Sequence, residues 1–317
     1  MPHPEASDTS VAVGVCGGPS ASDAAGTRAG SVAGLRGVTF GYQPGVPVIR
    51  SVTAELAPGR VCALIGPNAA GKSTLLKLML GQLDPWEGVI ELAGRPVSSL
   101  TPGQRAGLVS YVPQKGVVSF AFTVGQVVAM GRYALGDAEE AVDRALAVCD
   151  LTDLRDRVFA ELSGGQQQRV LLARAVAQSA GAGRVMLLDE PASGMDLWHV
   201  HQTMRLLGAL AKGDGGGPDE RGGPGGPGVL VVLHDVNLAA RYADDVWLMD
   251  AGGLAAAGPW REVMQPKLLE SVYRVRFQPM QAPEEHASGV PGPGIPTAGT
   301  RPDKRPVFWI DPADTIE

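Results

Sequence analysis

Cysteine is scarce in this chain. Cys16, Cys62 and Cys149 are the whole complement, odd in number, far apart and without the paired spacing of a zinc site or a disulfide framework. A reducing compartment is the expectation, and Cys62, inside the apolar run 61–65, reads as core packing rather than chemistry. An excess of positive charge is missing too: 27 Lys plus Arg stand against 33 Asp plus Glu. No overall basic field exists to hold nucleic acid, so nucleic acid is not an expected partner. No stretch approaches the roughly 18 uninterrupted apolar residues of a membrane span, and the start MPHPEASDTSVAVGVCGGPS lacks the basic opening of a secretory signal. Any role at a membrane is therefore expected to need a separate spanning partner.

What is present is ample material for a core: 44% of 317 residues are hydrophobic, enough for one large domain or two ordinary ones. Residues 1–34 are rich in Ala, Gly, Ser and Asp and offer few large side chains to offset the entropy of ordering, so they read as a disordered tail. Gly/Pro-rich stretches at 213–228 and from about 283 to 305 read as surface loops. Between them, strand-type runs at 61–65, 109–112, 185–188, 229–233 and 246–249 alternate with helix-type runs at 71–83, 166–179 and 197–212. That alternation predicts an α/β domain with parallel strands. Runs at 37–40, 46–56 and 89–92, separated by turns, predict an antiparallel β part, and 137–159 reads as a helical insertion. Runs at 272–277 and 306–310 flank the second loop and predict a terminal hairpin with a long connection.

The segment GPNAAGKST follows an apolar run and opens a helix-type run, the context that turns such a string into a phosphate loop. It comprises Gly66, Pro67, Asn68, Ala69, Ala70, Gly71, Lys72, Ser73 and Thr74. Its glycines let successive backbone N–H groups face one anion, and the following helix adds its positive end. Lys72 supplies a charge for the β- and γ-phosphates, and the Ser73 hydroxyl suits Mg²⁺. In VMLLDEP the apolar run 185–188 ends in Asp189 and Glu190. A buried strand that delivers acids at its C-terminal end is where an open α/β sheet places its ligand site. Asp189 is the expected Mg²⁺ ligand and Glu190 the group that orients and activates the attacking water. In LSGGQQQRV, Ser163 and Gln166 have capping-box spacing, which makes a well-capped helix start and, with Gly164 and Gly165, an exposed anion site. His199 and His201, two apart on a helix-type run, point different ways and are not read as a metal site.

Taken together, GPNAAGKST, LSGGQ and LLDEP resemble the ATP-binding subunits of ABC transporters over roughly 35–280, with a helical insertion at about 115–165 and the loop 213–228 inside that span. The resemblance implies the ABC type of P-loop NTPase fold, a mostly parallel core sheet with an antiparallel β part and a helical insertion, followed by a Pro/Gly-rich loop and terminal strand at 281–317. It implies ATP and Mg²⁺ as ligands. Tyr42 resembles the aromatic that stacks on adenine. Gln114 in YVPQ resembles the glutamine that senses the γ-phosphate and joins Ser73 and Asp189 around Mg²⁺, and His234 the switch histidine. Two copies are expected head to tail, so that ATP on Lys72 of one is closed over by Ser163 and Gly165 of the other.

TVGQVVAMGRY at 123–133 and HDVNLAARYADDVWLMDAGGLAAAG at 234–258 resemble the importers of iron-siderophore complexes, haem or vitamin B12. They imply permease subunits and a substrate-binding protein as partners and a peripheral place on the cytoplasmic side of the membrane. An export ATPase, a soluble ABC protein of translation or DNA repair, and a non-hydrolysing regulator are the alternatives. The chain departs from the family pattern at Ala69, where glycine is common, and at ASGMD, 192–196, where TSALD is usual. The alanine is harmless only if the backbone there avoids positive φ.

Overall fold

The apolar run Val61–Ile65 is buried at every position. Side chains alternate across a strand, so Val61, Ala63 and Ile65 enter one core and Cys62 and Leu64 another. A strand covered on both faces reads as unbroken apolar sequence, which is why this run, 185–188 and 229–233 show no alternation.

The computed structural model describes residues 30–114, 116, 120–136, 139–179, 185–213, 226–280 and 305–315. Along the chain come β1 (Ala33–Phe40), β2 (Ile49–Leu56), β3 (Val61–Ile65), α1 (Lys72–Met79), β4 (Glu87–Leu92), β5 (Arg95–Pro96), α2 (Pro102–Ala106) and β6 (Val109–Val112). Then follow α3 (Val124–Ala129), α4 (Glu139–Val148), α5 (Gly164–Ser179), β7 (Val185–Asp189), α6 (Leu197–Lys212), β8 (Gly228–Val232) and α7 (Val236–Tyr242). The last elements are β9 (Asp245–Asp250), β10 (Gly253–Pro259), α8 (Trp260–Val263), α9 (Pro266–Tyr273), β11 (Val275–Met280) and β12 (Val307–Thr315).

The central sheet has the order β10-β9-β3-β8-β7-β6. It is parallel from β9 to β6, with β10 antiparallel at one edge. A second sheet, β2-β1-β4-β5, is antiparallel throughout. Its Val38, Ile49 and Leu92 share a core with Leu75 and Leu76 of α1 and with one face of the central sheet. On the other face, Val170 and Leu171 of α5, Met204 and Leu207 of α6, and the insertion residues Val127 and Leu146 close the second core. The α/β class with a mostly parallel sheet and an antiparallel part is therefore the observed architecture. In the insertion α3 and α4 pack on α5.

Several boundaries differ from the sequence reading. The tail expected through residue 34 gives way at Ala33, which pairs with both Leu56 and Leu92 and is buried; residues 1–29 lie outside the described residues. The run 46–56 yields a strand only from Ile49, because 43–46 form a turn closed by Val46 N–H to Gln43 O at 3.0 Å. The run 272–277 splits: Val272 and Tyr273 end α9, and Arg274 turns left-handed at φ 59° before β11. Helices α7 and α9 replace what the sequence left without a helical reading. Of the two Gly/Pro-rich stretches, 214–225 and 281–304 lie outside the described residues. The terminal hairpin is present as β11 and β12, antiparallel with Phe277 opposite Ile310.

Candidate active site

Strand β3 delivers the phosphate-loop segment and α1 receives it. Gly66 sits at φ 149° and Gly71, the N-cap of α1, at φ 101°. Both are pinned by close neighbours: a Cβ on Gly66 would overlap the Met249 carbonyl, and one on Gly71 would lie 2.7 Å from Ile49 Cδ1. Ala69 is also left-handed, at φ 63°. The condition under which alanine would be harmless there is not met, and a Cβ in that region costs roughly 1–2 kcal/mol.

The Lys72 ammonium is buried and curls back over its own loop, donating to Gly66 O and Pro67 O at 2.8 Å each. Burial pushes its pKa down, while the charges of Glu190 and Asp189 pull it back up. Asp189 closes β7 and is also buried. Burial pushes its carboxyl pKa up and Glu190 adds to that, whereas the Ser73 hydroxyl, Lys72 and His234 act the other way. Its Oδ1 has no hydrogen-bond partner. A buried, orphaned carboxylate oxygen beside a serine hydroxyl is a donor set that suits a hard divalent cation, which takes one or two protein oxygens and fills its remaining positions with phosphate and water.

The topology assembles the rest. Gln114 follows β6, Glu190 follows β7 and His234 follows β8, and these strands are parallel neighbours. Their C-terminal ends therefore share one rim of the sheet, beside the end of β3. There Gln114 Nε2 donates to Glu190 Oε2 at 2.6 Å, and His234 Nε2 meets Glu190 Oε1. The Glu190 side chain is 17% exposed against 49% for His234, so the carboxylate is the recessed member. Its backbone is left-handed, at φ 50°. For a non-glycine residue that conformation persists only where surrounding structure over-determines it.

Tyr42 lies at the other border of the loop, its hydroxyl 3.3 Å from Thr74 Oγ1 and the residue 58% exposed. The LSGGQ segment stands apart from this assembly. Ser163 N–H donates to Gln166 Oε1 at 3.0 Å and Gln166 N–H to Ser163 Oγ at 3.3 Å, so the capping box closes reciprocally at the start of α5. Ser163, Gly164, Gly165 and Gln166 line a hollow with Met195, Asp196 and His199, and none of residues 66–74 borders it. The structure thus brings Gln114, Asp189, Glu190, His234 and Tyr42 to the phosphate loop and leaves the LSGGQ helix start facing elsewhere within one copy.

Two features escaped the sequence reading. Asp196 caps α6 through His199 N–H at 2.9 Å and holds the His199 ring at Nδ1, 2.7 Å away. The Asp-x-x-His spacing of a helix cap was the available signal. His201 instead meets the Tyr242 hydroxyl at 2.7 Å, so the two histidines do point different ways. Trp86, packed against Gly41 beside Tyr42, carried no pattern at all.

Comparison with known proteins agrees with this geometry. The profile of the ABC transporter family matches residues 49–193. The hemin import ATP-binding protein HmuV of Rhizobium meliloti (strain 1021) is 38% identical over 248 residues, covering 75% of this chain and 90% of that protein. Its counterpart in Streptomyces coelicolor is 42% identical over 235 residues, 72% of this chain and 79% of that one. Among solved structures, one described as an inward-facing metal-chelate type ABC transporter superposes with a TM-score of 0.67 at 25% identity, covering 89% of this chain and 97% of that one. Matches of that identity and reach, over a rim that gathers the phosphate loop, the paired acids and the histidine, make this chain an ATPase of the ABC transporter family.

Proposed function

We propose that this chain binds and hydrolyses ATP to power an ABC importer of metal chelates, with haem the first candidate cargo. The observation that carries the hydrolytic reading is the recessed Glu190 carboxylate, gripped by Gln114 and His234 at the mouth of the phosphate loop. The cargo reading is supported by the relatives named as hemin import proteins and by the metal-chelate type neighbour. The cassette begins with β1 at Ala33 and runs to about 280, and β12 of the segment 281–317 pairs back onto its last strand, β11.

Residues 66–74 hold the triphosphate. Phosphoryl transfer asks for positioning and charge neutralisation more than covalent chemistry, and Lys72 is poised to exchange its two backbone carbonyl partners for β- and γ-phosphate oxygens. Ser73, Asp189 and Gln114 would hold Mg²⁺, which supplies charge neutralisation when bound. Glu190 orients the attacking water and takes its proton. Gln114 and His234 fix that carboxylate and meet the γ-phosphate side, and Tyr42 stacks on adenine.

A second copy completes the site head to tail, its Ser163, Gly164, Gly165 and Gln166 presenting a capped helix start to the phosphates. The outward-facing LSGGQ turn supports that arrangement, because within one copy it has no triphosphate to meet. The partners are permease subunits and a substrate-binding protein, and the chain sits peripherally on the cytoplasmic side of the membrane. No helix among the described residues is long and apolar enough to cross one.

The test is co-purification followed by reconstitution in vesicles with the recovered permease. ATP-dependent uptake of haem, a ferric siderophore or cobalamin identifies the cargo, and Lys72→Ala abolishes uptake by weakening nucleotide binding. Recovery of ribosomes or DNA in place of a polytopic membrane protein overturns the transport reading.

A further inference from the structure

Gly41 lies between Phe40 and Tyr42 and has no room for a side chain. A Cβ there would overlap the Val46 carbonyl and lie 2.5 Å from the Cη2 atom of Trp86. The indole edge therefore rests on the Gly41 backbone. The Trp86 backbone is itself fixed, since its amide N–H donates to Thr39 O at 2.8 Å. Its ring stands 6.1 Å from that of Phe40, tilted by 43°. Tyr42 packs edge-on against the same Phe40 at 5.1 Å. On the far side the loop is closed by Val48 N–H to Phe40 O at 2.7 Å and by the 43–46 turn, with Gly45 left-handed at φ 77°. The loop that carries Tyr42 is thus held by backbone on one side and by one indole on the other.

Trp86 does little for the core, being 44% exposed, whereas Phe40 beneath it is 7% exposed. Besides the Phe40 ring, what it contacts is the backbone of Gly41, the residue just before Tyr42.

We propose that Trp86 is a positioning residue for the nucleotide base, wedged on Gly41 so that the Tyr42 ring is held in place for the purine before the nucleotide arrives. This rests on the reading of Tyr42 as the base-stacking ring. Holding a loop in its bound geometry beforehand removes an ordering cost from binding. The base does not react, so it is held alike in ground and transition states, and such uniform binding alters KM and leaves kcat alone.

The experiment is steady-state hydrolysis by the full chain at varied MgATP. Trp86→Ala is expected to raise KM roughly three- to tenfold, the span of one aromatic contact, with kcat at saturation retained. Trp86→Phe should restore most of the affinity. Tyr42→Ala should raise KM as well, and adding Trp86→Ala to it should change little more, because both act through one ring. A raised KM in Tyr42→Ala with an unchanged KM in Trp86→Ala overturns the role of Trp86 alone. An unchanged KM in Tyr42→Ala removes the base-stacking reading and this inference with it. A fall in kcat that Trp86→Phe does not reverse marks general damage and also overturns it. If Trp86→Ala does not fold, Trp86→Leu decides by the same measure: it keeps an apolar side chain but takes the indole edge off Gly41, so a raised KM with kcat retained supports the inference and an unchanged KM overturns it.

Discussion

His234 and Glu190 meet directly, imidazole Nε2 against carboxylate Oε1, while the other oxygen of that carboxylate accepts from Gln114 Nε2 at 2.6 Å. Both oxygens of the recessed acid are therefore oriented by residues from the neighbouring strand ends. A general base must be held within hydrogen-bond reach of the proton it takes, and a carboxylate fixed at both oxygens meets the positional half of that demand.

Glu190→Gln keeps the shape but turns one acceptor oxygen into an NH2 donor and removes the base. Turnover should fall roughly 10²- to 10⁴-fold while ATP binding persists. His234→Ala keeps the base but releases one oxygen, and misplacement of that kind should lower turnover by up to about a hundredfold. Steady-state phosphate release and nucleotide-dependent dimerisation of the two variants separate the roles. Near-normal turnover in Glu190→Gln would remove it from the mechanism.

Ala69 carries a strained backbone at φ 63° in the middle of the phosphate loop. Ala69→Gly sets two effects against each other. Relief of the left-handed strain is worth roughly 1–2 kcal/mol, and the greater freedom of glycine in the unfolded chain costs about 0.4–1 kcal/mol. The first is the larger, so Ala69→Gly should raise the denaturation midpoint slightly with an unchanged slope in urea. A clear fall in the midpoint would mean that neighbouring contacts of the methyl group outweigh its strain.

How much of this could be seen in the residues beforehand follows from where the determinants lie. The phosphate loop, the paired acids and the capped LSGGQ start are local patterns, and each landed on the element its flanks predicted. The convergence of Gln114 and His234 on Glu190 is set by strand order, β3-β8-β7-β6, which no local pattern encodes; only the family resemblance had placed them together. The left-handed turns at Ala69 and Glu190 were hidden for a different reason. Neither residue type advertises positive φ, and their conformation is imposed from outside. Helix α9 was missed because Val272 and Tyr273 are β-prone residues that tertiary packing holds in a helix.

Cys149 is buried in the insertion core, and burial pushes its thiol pKa up to about 12. Cys62 is likewise buried, and its thiol is pushed well up for the same reason. The thiolate is the reactive form, so neither should react with iodoacetamide at pH 8 in the native protein, and both should be labelled once denaturant is added. Peptide mass spectrometry of the two samples reads this directly. Native labelling at Cys149 would mean that the helical insertion opens far more readily than its packing indicates.

Phe308 tests whether the terminal strand belongs to the folded unit. It is buried, stands edge-on to Phe277 at 6.0 Å, and its backbone is held at both polar atoms by the Asn237 amide. Truncating a buried phenylalanine removes about 3–5 kcal/mol, and removing the Asn237 amide forfeits two hydrogen bonds worth roughly 1 kcal/mol each. Phe308→Ala should therefore lower stability more than Asn237→Ala, and because Phe308→Ala loosens the strand whose backbone Asn237 holds, the double variant should lose less than the sum. Denaturant titration of the three proteins measures all of these terms. Wild-type midpoints throughout would show that β12 contributes nothing to the fold, and that α7, with His234 just before it, is held by the sheet alone.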